Sequence, residues 1–263
     1  MELDALLGEA ARWIAAARKT LVFTGAGVST ESGIPDFRSA AGLWSRYDPA
    51  EYATLGAFRA DPAKVWHMLA EMEQVLDTRP NAGHEALARL EAEGAVAGIV
   101  TQNIDGLHQA AGSRNVVEYH GSNRSYTCLT CREGFPREAV RAMARAADSP
   151  MPLPGSCSHP ARDAGGRPCV VKPDVVFFDE MIPDPAQLGA LQLLHGADLV
   201  LVAGTSCEVY PAADIPLQVR RQGGRIIELN LEPAPALRAD LVLQGRFAAV
   251  TTALYARWAA LRG

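Results

Sequence analysis

The sequence contains no apolar run approaching the roughly 20 residues that a bilayer-spanning helix requires. It has no surplus of cations: the formal net charge is -5. That argues against a protein that grips nucleic acid by charge, because phosphate contacts need clustered Lys and Arg. A basic peptide stays open as a substrate. An even set of cysteines is missing too, and five in 263 residues do not make a disulfide scaffold. There is no internal repeat. The N-terminus lacks a cationic start followed by an apolar block. It carries Glu2, Asp4 and Glu9 and reads as an amphipathic helix, not a signal or transit peptide. These absences lead to the expectation of a cytoplasmic protein without membrane or nucleic-acid partners.

What is present is an ordinary globular composition, 48% hydrophobic and 21% charged. Short runs rich in Val, Ile and Leu alternate with helical stretches. Strands are expected at Thr20–Thr24, Val96–Thr101, Val116–Tyr119, Val175–Phe178, Leu199–Ala203, Arg225–Leu229 and Leu241–Leu243. Several are apolar on both faces, as parallel strands covered by helices must be. Helical patterns at Gly83–Glu93, Pro185–His195, Ala212–Gln222 and Phe247–Arg262 lie between or after them. The alternation predicts an α/β fold: a Rossmann-like doubly wound parallel sheet with ligands at the strand C-terminal ends. Two stretches break the rhythm, one helical (including Pro62–Leu76) and one holding four cysteines amid many Pro and Gly. They read as insertions that build a smaller lobe. The expected division is a large domain of 1–41, 83–121 and 174–263, with a helical module at 42–82 and a metal-binding module at 122–173.

The chemistry concentrates at the strand ends. After the first strand comes Gly25-Ala26-Gly27, whose missing side chains let backbone N–H groups approach a pyrophosphate. The usual third glycine is absent because Thr30 stands there, so a tight strand-to-helix turn is an equal reading of these residues alone. The run continues through Ser32-Gly33-Ile34-Pro35-Asp36-Phe37-Arg38, which suits a loop closing over a charged cofactor. Thr101-Gln102-Asn103-Ile104-Asp105-Gly106-Leu107-His108 follows a second strand, and Glu118-Tyr119-His120-Gly121 a third. Gly204-Thr205-Ser206 and Asn230-Leu231-Glu232 end two more. Cys128 and Cys131 are separated by two residues, as on the turn of a zinc knuckle, with Cys157 and Cys169 further on. The second pair departs from that spacing, and His159 is an alternative ligand to Cys169. Cys207 stands outside the group as a small buried residue or a redox-sensitive thiol.

The stretch GAGVSTESGIPDFRS closely resembles the cofactor loop of the sirtuins, NAD-dependent protein deacylases, and the other motifs follow in that family's order. The resemblance spans about Leu21 to Gly245. It implies NAD as co-substrate, held by Gly25, Ala26, Gly27, Thr30, Asp36, Phe37, Arg38, Gln102, Asn103, Ile104, Asp105, Gly204, Thr205, Ser206, Asn230, Leu231 and Glu232. Gln102, Asn103 and Asp105 would face the nicotinamide and its ribose, and Phe37 would shield the anomeric carbon. His120 matches the family's catalytic His-Gly pair, and an imidazole titrating near neutrality can take a proton from a ribose hydroxyl. One structural zinc on Cys128, Cys131, Cys157 and Cys169 is implied, Cys169 being favoured over His159 because it precedes Lys172-Pro173-Asp174.

Val176-Phe177-Phe178-Asp179-Glu180 resembles the segment on which sirtuins pair an extended acyl-lysine peptide, as does the loop around Val209. Asp179 stands where glycine is common, and its charge is expected to favour basic flanking residues. The helix Trp66–Glu73 lacks the Tyr and Arg with which succinyl- and malonyl-selective sirtuins hold an acidic acyl chain. It offers Met, Leu and acid, which predicts removal of acetyl or longer neutral acyl groups. The implied products are free lysine, nicotinamide and O-acyl-ADP-ribose. Two rivals keep the fold: an NAD glycohydrolase or ADP-ribosyltransferase, and a non-catalytic NAD- or ADP-ribose-sensing module. Oligomeric state is left open, a monomer being compatible with the sequence.

Overall fold

The computed structural model describes residues 2–37, 39, 42–146 and 169–263. The chain opens with α1 (Glu2–Ala16) and β1 (Thr20–Thr24), then two short helices, α2 (Pro49–Tyr52) and α3 (Leu55–Ala60), lead to a longer one, α4 (Pro62–Val75). Next come α5 (Ala82–Ala92), β2 (Gly98–Thr101), α6 (Leu107–Ala110), β3 (Val116–Glu118), β4 (Gly121–Cys128), β5 (Gly134–Pro136) and α7 (Arg137–Ala146). The rest is β6 (Val171–Val175), α8 (Asp184–Leu194), β7 (Leu199–Ala203), α9 (Asp214–Arg221), β8 (Arg225–Asn230), β9 (Leu241–Gln244) and α10 (Phe247–Ala259). Two compact units result. The first is Met1–Asp36, Thr78–Tyr119 and Pro183–Gly263, and the second is Phe37–Asp77 and His120–Ile182.

The first unit is built on a six-stranded sheet in the order β3-β2-β1-β7-β8-β9, every pair parallel. β1 and β7 are buried along their whole length, which is why their sequences TLVFT and LVLVA show no polar alternation. Side chains still alternate between faces. Val22, Ile99, Leu201 and Ile227 pack with Leu7, Leu87, Phe247 and Leu254 of α1, α5 and α10. Val116 joins that cluster, whereas its neighbour Val117 meets Gly189 of α8. Helices therefore cover both faces. Strand order reverses between β1 and β7, and an open parallel sheet binds ligands outside its carboxyl ends at such a point.

The second unit holds a three-stranded antiparallel sheet, β5-β4-β6. Residues from both expected insertions share its core. Tyr47, Phe58, Trp66 and Met68 pack with Tyr126, Phe135, Val171 and Phe177, and the Trp66 indole N–H donates to the Val171 carbonyl at 2.9 Å. The strand expected at Val175–Phe178 ends at Val175 and runs here as β6, beside β4, not in the large sheet. Its apolar run resembles a buried parallel strand, but the pairing partner is antiparallel β4, whose polar sequence GSNRSYTC gave no strand signal. Among the described residues no helix is long and apolar enough to cross a membrane.

Candidate functional site

In the first unit the candidate residues gather at the carboxyl ends of β1, β2, β7 and β8. Gly25 and Gly27 are glycines because the turn after β7 presses on them. A Cβ on Gly27 would lie 2.8 Å from the Gly204 Cα, and one on Gly25 would lie 2.7 Å from the Thr205 Cβ. The Gly25 N–H donates to the Ala203 carbonyl at 3.1 Å and the Gly27 N–H to the Gly204 carbonyl at 2.9 Å. The chain then winds through a 3-10 helix, Ala26–Ser32, closed by Gly33 at φ 93°. Thr30 sits inside it, its hydroxyl donating to the Gly27 carbonyl at 2.9 Å, so a third glycine is not required. Asn81 braces this loop by donating to the Val28 carbonyl at 2.9 Å and to the Ser32 hydroxyl at 3.0 Å.

The residues after β2 turn back onto that loop. The Asn103 N–H donates to the Thr101 hydroxyl at 3.0 Å, and its buried amide donates to the Ser29 hydroxyl at 3.1 Å. Ser29 in turn donates to Asp105 at 2.7 Å, while the other Asp105 oxygen accepts from the Leu107 N–H at 2.9 Å. Burial raises the Asp105 pKa, and the donors from Leu107, Ser29 and Asn103 offset part of the rise. Gln102 donates to the Thr205 hydroxyl at 3.0 Å. Thr205 and Asn230 exchange bonds, N–H to Oδ1 at 3.0 Å and Nδ2 to carbonyl at 3.1 Å, and buried Glu228 accepts from Asn230 Nδ2 at 2.7 Å. Leu231, Glu232 and Ser206 are exposed next to this network. Asp36 and Ile104 are half-buried. The Val209 carbonyl accepts from the Ala213 N–H at 2.8 Å.

Behind Asn103 lies a buried polar train. The Thr24 and Thr101 hydroxyls meet at 2.8 Å, and Thr24 meets His108 Nε2 at 2.9 Å. His108 packs edge-on against His84, ring centroids 4.9 Å apart. Burial holds the His108 pKa well below its ordinary value, with His84 adding to the effect, and lowers His84 to about 4. His108 is thus a neutral buried side chain, consistent with an orienting role. Cys207 is also buried, and desolvation pushes its thiol up to about 12. That removes the basis for a reactive thiolate there.

The second unit holds His120, Phe37 and the Val176–Glu180 segment. His120 is half-buried and its carbonyl accepts from the Val176 N–H at 2.8 Å. The glycine after it is obligatory: Gly121 has φ 78°, and a Cβ there would lie 2.0 Å from the Asp174 carbonyl oxygen. Phe37 packs on Trp44 at 5.2 Å between centroids, and Trp44 on Phe178 at 6.4 Å. Phe177 is buried, whereas Phe178 and Asp179 are exposed. The acids of α4 are not free to repel an acyl chain. Glu73 accepts from Arg137 at 2.8 Å, Arg141 at 3.1 Å and the Tyr126 hydroxyl at 2.5 Å, and Glu71 accepts from Arg46 at 2.6 Å. Met68 and Leu69 are core residues. Of the acyl-chain expectation, only the absence of a Tyr and an Arg from Trp66–Glu73 keeps its force.

The sulfurs of Cys128, Cys131 and Cys169 lie within 4.8 Å of one another, two of the three residues buried. Thiolates on a tetrahedral zinc at about 2.3 Å sit about 3.8 Å apart, so this donor set fits a structural ion with small adjustments. Cys169 thus joins the Cys128–Cys131 pair. Arg38, Cys157 and His159 lie outside the described residues. Ser29 and Glu228 were not among the expected site residues. Ser29 had a signal, being a hydroxyl within a glycine loop, but its partners lie 74 and 76 positions away.

A model of the Sir2 family matches residues 25–211. An NAD-dependent protein deacylase 2 of Pyrobaculum aerophilum is 44% identical over 235 residues, which cover 89% of this chain and 88% of that protein. A solved Sir2 homologue–NAD complex is 40% identical, with a TM-score of 0.81 over 97% of this chain and 94% of the other. A Sir2–p53 peptide–NAD+ complex is 34% identical, with a TM-score of 0.80 over 92% and 94%. With the glycine turns, the strand-end polar cluster and the thiol group in place, these likenesses settle the family: the chain belongs to the Sir2 family.

Proposed function

We propose that the protein is an NAD-dependent protein-lysine deacylase that releases nicotinamide, O-acyl-ADP-ribose and free lysine. The observation that carries this reading is the Ser29–Asn103–Asp105 cluster at the strand ends of a Sir2-family chain. NAD, when bound, supplies the ADP-ribosyl group that accepts the acyl chain. The first unit is the NAD-binding domain in this reading. Its glycine turns at Gly25, Gly27 and Gly204 carry no side chains, which lets a diphosphate approach the backbone closely. Thr205 and Asn230, fixed by their mutual bonds, orient the adenosine half together with Ser206, Leu231 and Glu232.

Asn103 and Asp105 face the nicotinamide ribose and carboxamide, held in place by Ser29, and Gln102 is held by Thr205. His120 is the general base that takes a proton from a ribose hydroxyl. Phe37 excludes water from the reacting carbon, and Asp36, Arg38, Thr30, Ala26 and Ile104 complete the NAD contacts. The acyl-lysine peptide pairs with Val176–Glu180 and with the loop at Val209. Cys128, Cys131, Cys169 and Cys157 hold one structural zinc. The odd cysteine count supports a cytoplasmic enzyme, and the acidic net charge supports one acting on protein without nucleic acid.

The test is a panel of acetyl-, succinyl- and long-chain acyl-lysine peptides incubated with NAD and read by mass. Free lysine and O-acyl-ADP-ribose should appear in step for the neutral acyl groups, and His120→Ala should abolish both. Nicotinamide release without deacylated peptide would instead establish the glycohydrolase reading. Strong desuccinylation would overturn the acyl argument.

A further inference from the structure

Asp179 occupies a backbone conformation that side chains rarely adopt, φ 66°, one that Asp and Asn tolerate better than most residues. Its carboxylate, on an exposed residue, is nonetheless engaged at both oxygens. Oδ1 accepts from the Leu55 N–H at 2.7 Å and Oδ2 from the Gly56 N–H at 3.2 Å, the first two residues of α3. The backbone beside it is tied to the same place. The Phe178 N–H donates to the Ala53 carbonyl at 2.8 Å, the Leu55 N–H to the Phe178 carbonyl at 3.2 Å, and Thr54 and Phe178 form a parallel bridge.

The next residue is anchored from within. Glu180 Oε2 accepts from the Phe177 N–H and from Lys172 Nζ, both at 2.8 Å. Lys172 also donates to the Val175 carbonyl at 2.6 Å and lies 4.4 Å from the Phe177 ring centre. The segment is thus clamped at two points, Lys172–Glu180 inside and Asp179–α3 outside.

We propose that Asp179 is a positioning residue for the acyl-lysine peptide: it fastens Val176–Glu180 to the start of α3 and commits its charge there. An exposed carboxylate already held by two N–H groups gains little from a flanking cation, so the enzyme selects only weakly on the charge of residues flanking the lysine. This rests on the reading of Val176–Glu180 as the peptide-binding segment. It reverses the expectation from sequence that the Asp179 charge favours basic flanks, because helix N–H groups already engage both oxygens.

The experiment compares the wild-type enzyme with Asp179→Ala, Asp179→Gly and Asp179→Asn on two acetyl-lysine peptides, one with basic and one with acidic flanks. The wild-type enzyme should use both peptides with kcat/KM within about threefold, the spread expected of surface charges that do not pair. Asp179→Ala should raise the peptide KM about fivefold, the equivalent of losing one capping carboxylate, leaving kcat and the NAD KM unchanged. Asp179→Gly relieves the backbone conformation without restoring the tether, so its peptide KM should rise equally. Asp179→Asn keeps an acceptor for Leu55 and should return KM to within about twofold. A wild-type KM in both Ala and Gly variants overturns the proposal. So does a tenfold preference for basic flanks that disappears in Asp179→Ala, because the charge would then face the peptide. A wild-type chain that deacylates neither peptide overturns the deacylase reading itself, a result distinct from an active enzyme with an unmoved KM.

Discussion

Replacing Gly204 by alanine adds two penalties at one position, and a second glycine separates them. Gly204 has φ 60°, and a Cβ built on it would lie 2.4 Å from the Val28 nitrogen and 2.7 Å from the Gly27 carbonyl carbon. Both are backbone atoms of the loop after β1, which cannot rotate away as a side-chain tip could. The left-handed conformation alone costs an alanine about 1 kcal/mol, and forcing extra volume into a packed contact adds about 1–3 kcal/mol. The expected loss for Gly204→Ala is therefore about 2–4 kcal/mol. Gly223 supplies the control, with φ 86° and no atom within 4 Å of a built Cβ, so Gly223→Ala should lose only about 1 kcal/mol. Urea unfolding followed by circular dichroism gives both values, and their difference isolates the approach of the β1 and β7 turns. Equal losses in the two variants would refute the argument that these turns are glycine because they touch.

Three further outcomes are expected. Purified protein should carry one zinc per chain by elemental analysis, and Cys169→Ser should lose it, since the Cys169 sulfur lies with those of Cys128 and Cys131; full zinc retention would remove Cys169 from the site. Ser29→Ala strands the Asn103 amide and an Asp105 oxygen, so nicotinamide release should fall by the equivalent of about 1–3 kcal/mol in activation free energy, and unchanged turnover would show that the hydroxyl does not hold this pair. His84 has a pKa lowered by burial from about 6.5 to about 4. The unfolded chain thus binds more protons between those values, and stability must fall as pH drops through that window, by roughly 2 kcal/mol at pH 5. His84→Leu should flatten the fall in urea midpoint between pH 7 and pH 5, and an unaltered slope would assign the proton uptake elsewhere.

Much of the first unit was legible in the sequence because its strands are locally extreme. Runs such as LVLVA, buried on every residue, cannot be anything but core, and the motifs that end them mark the sheet's carboxyl edge. The second unit was less legible. Its β4, GSNRSYTC, is polar enough to pass for a loop, and it becomes a strand only through pairing with β5 and β6. The same limit hid the target of Asp179, whose partners lie 124 and 123 positions earlier.

The sequence by itself determined the class of fold, the family and the identity of the groups that can do chemistry, because buried strands, glycine turns and thiol spacing are written in adjacent residues. Only the tertiary structure decided which of those groups touch. It joined Ser29 to Asn103 and Asp105, set the α4 carboxylates against Arg46, Arg137 and Arg141, and tied the Asp179 carboxylate to the start of α3. Those pairings are set by strand order and core packing, in which residues far apart in the chain become neighbours without any local pattern to announce it.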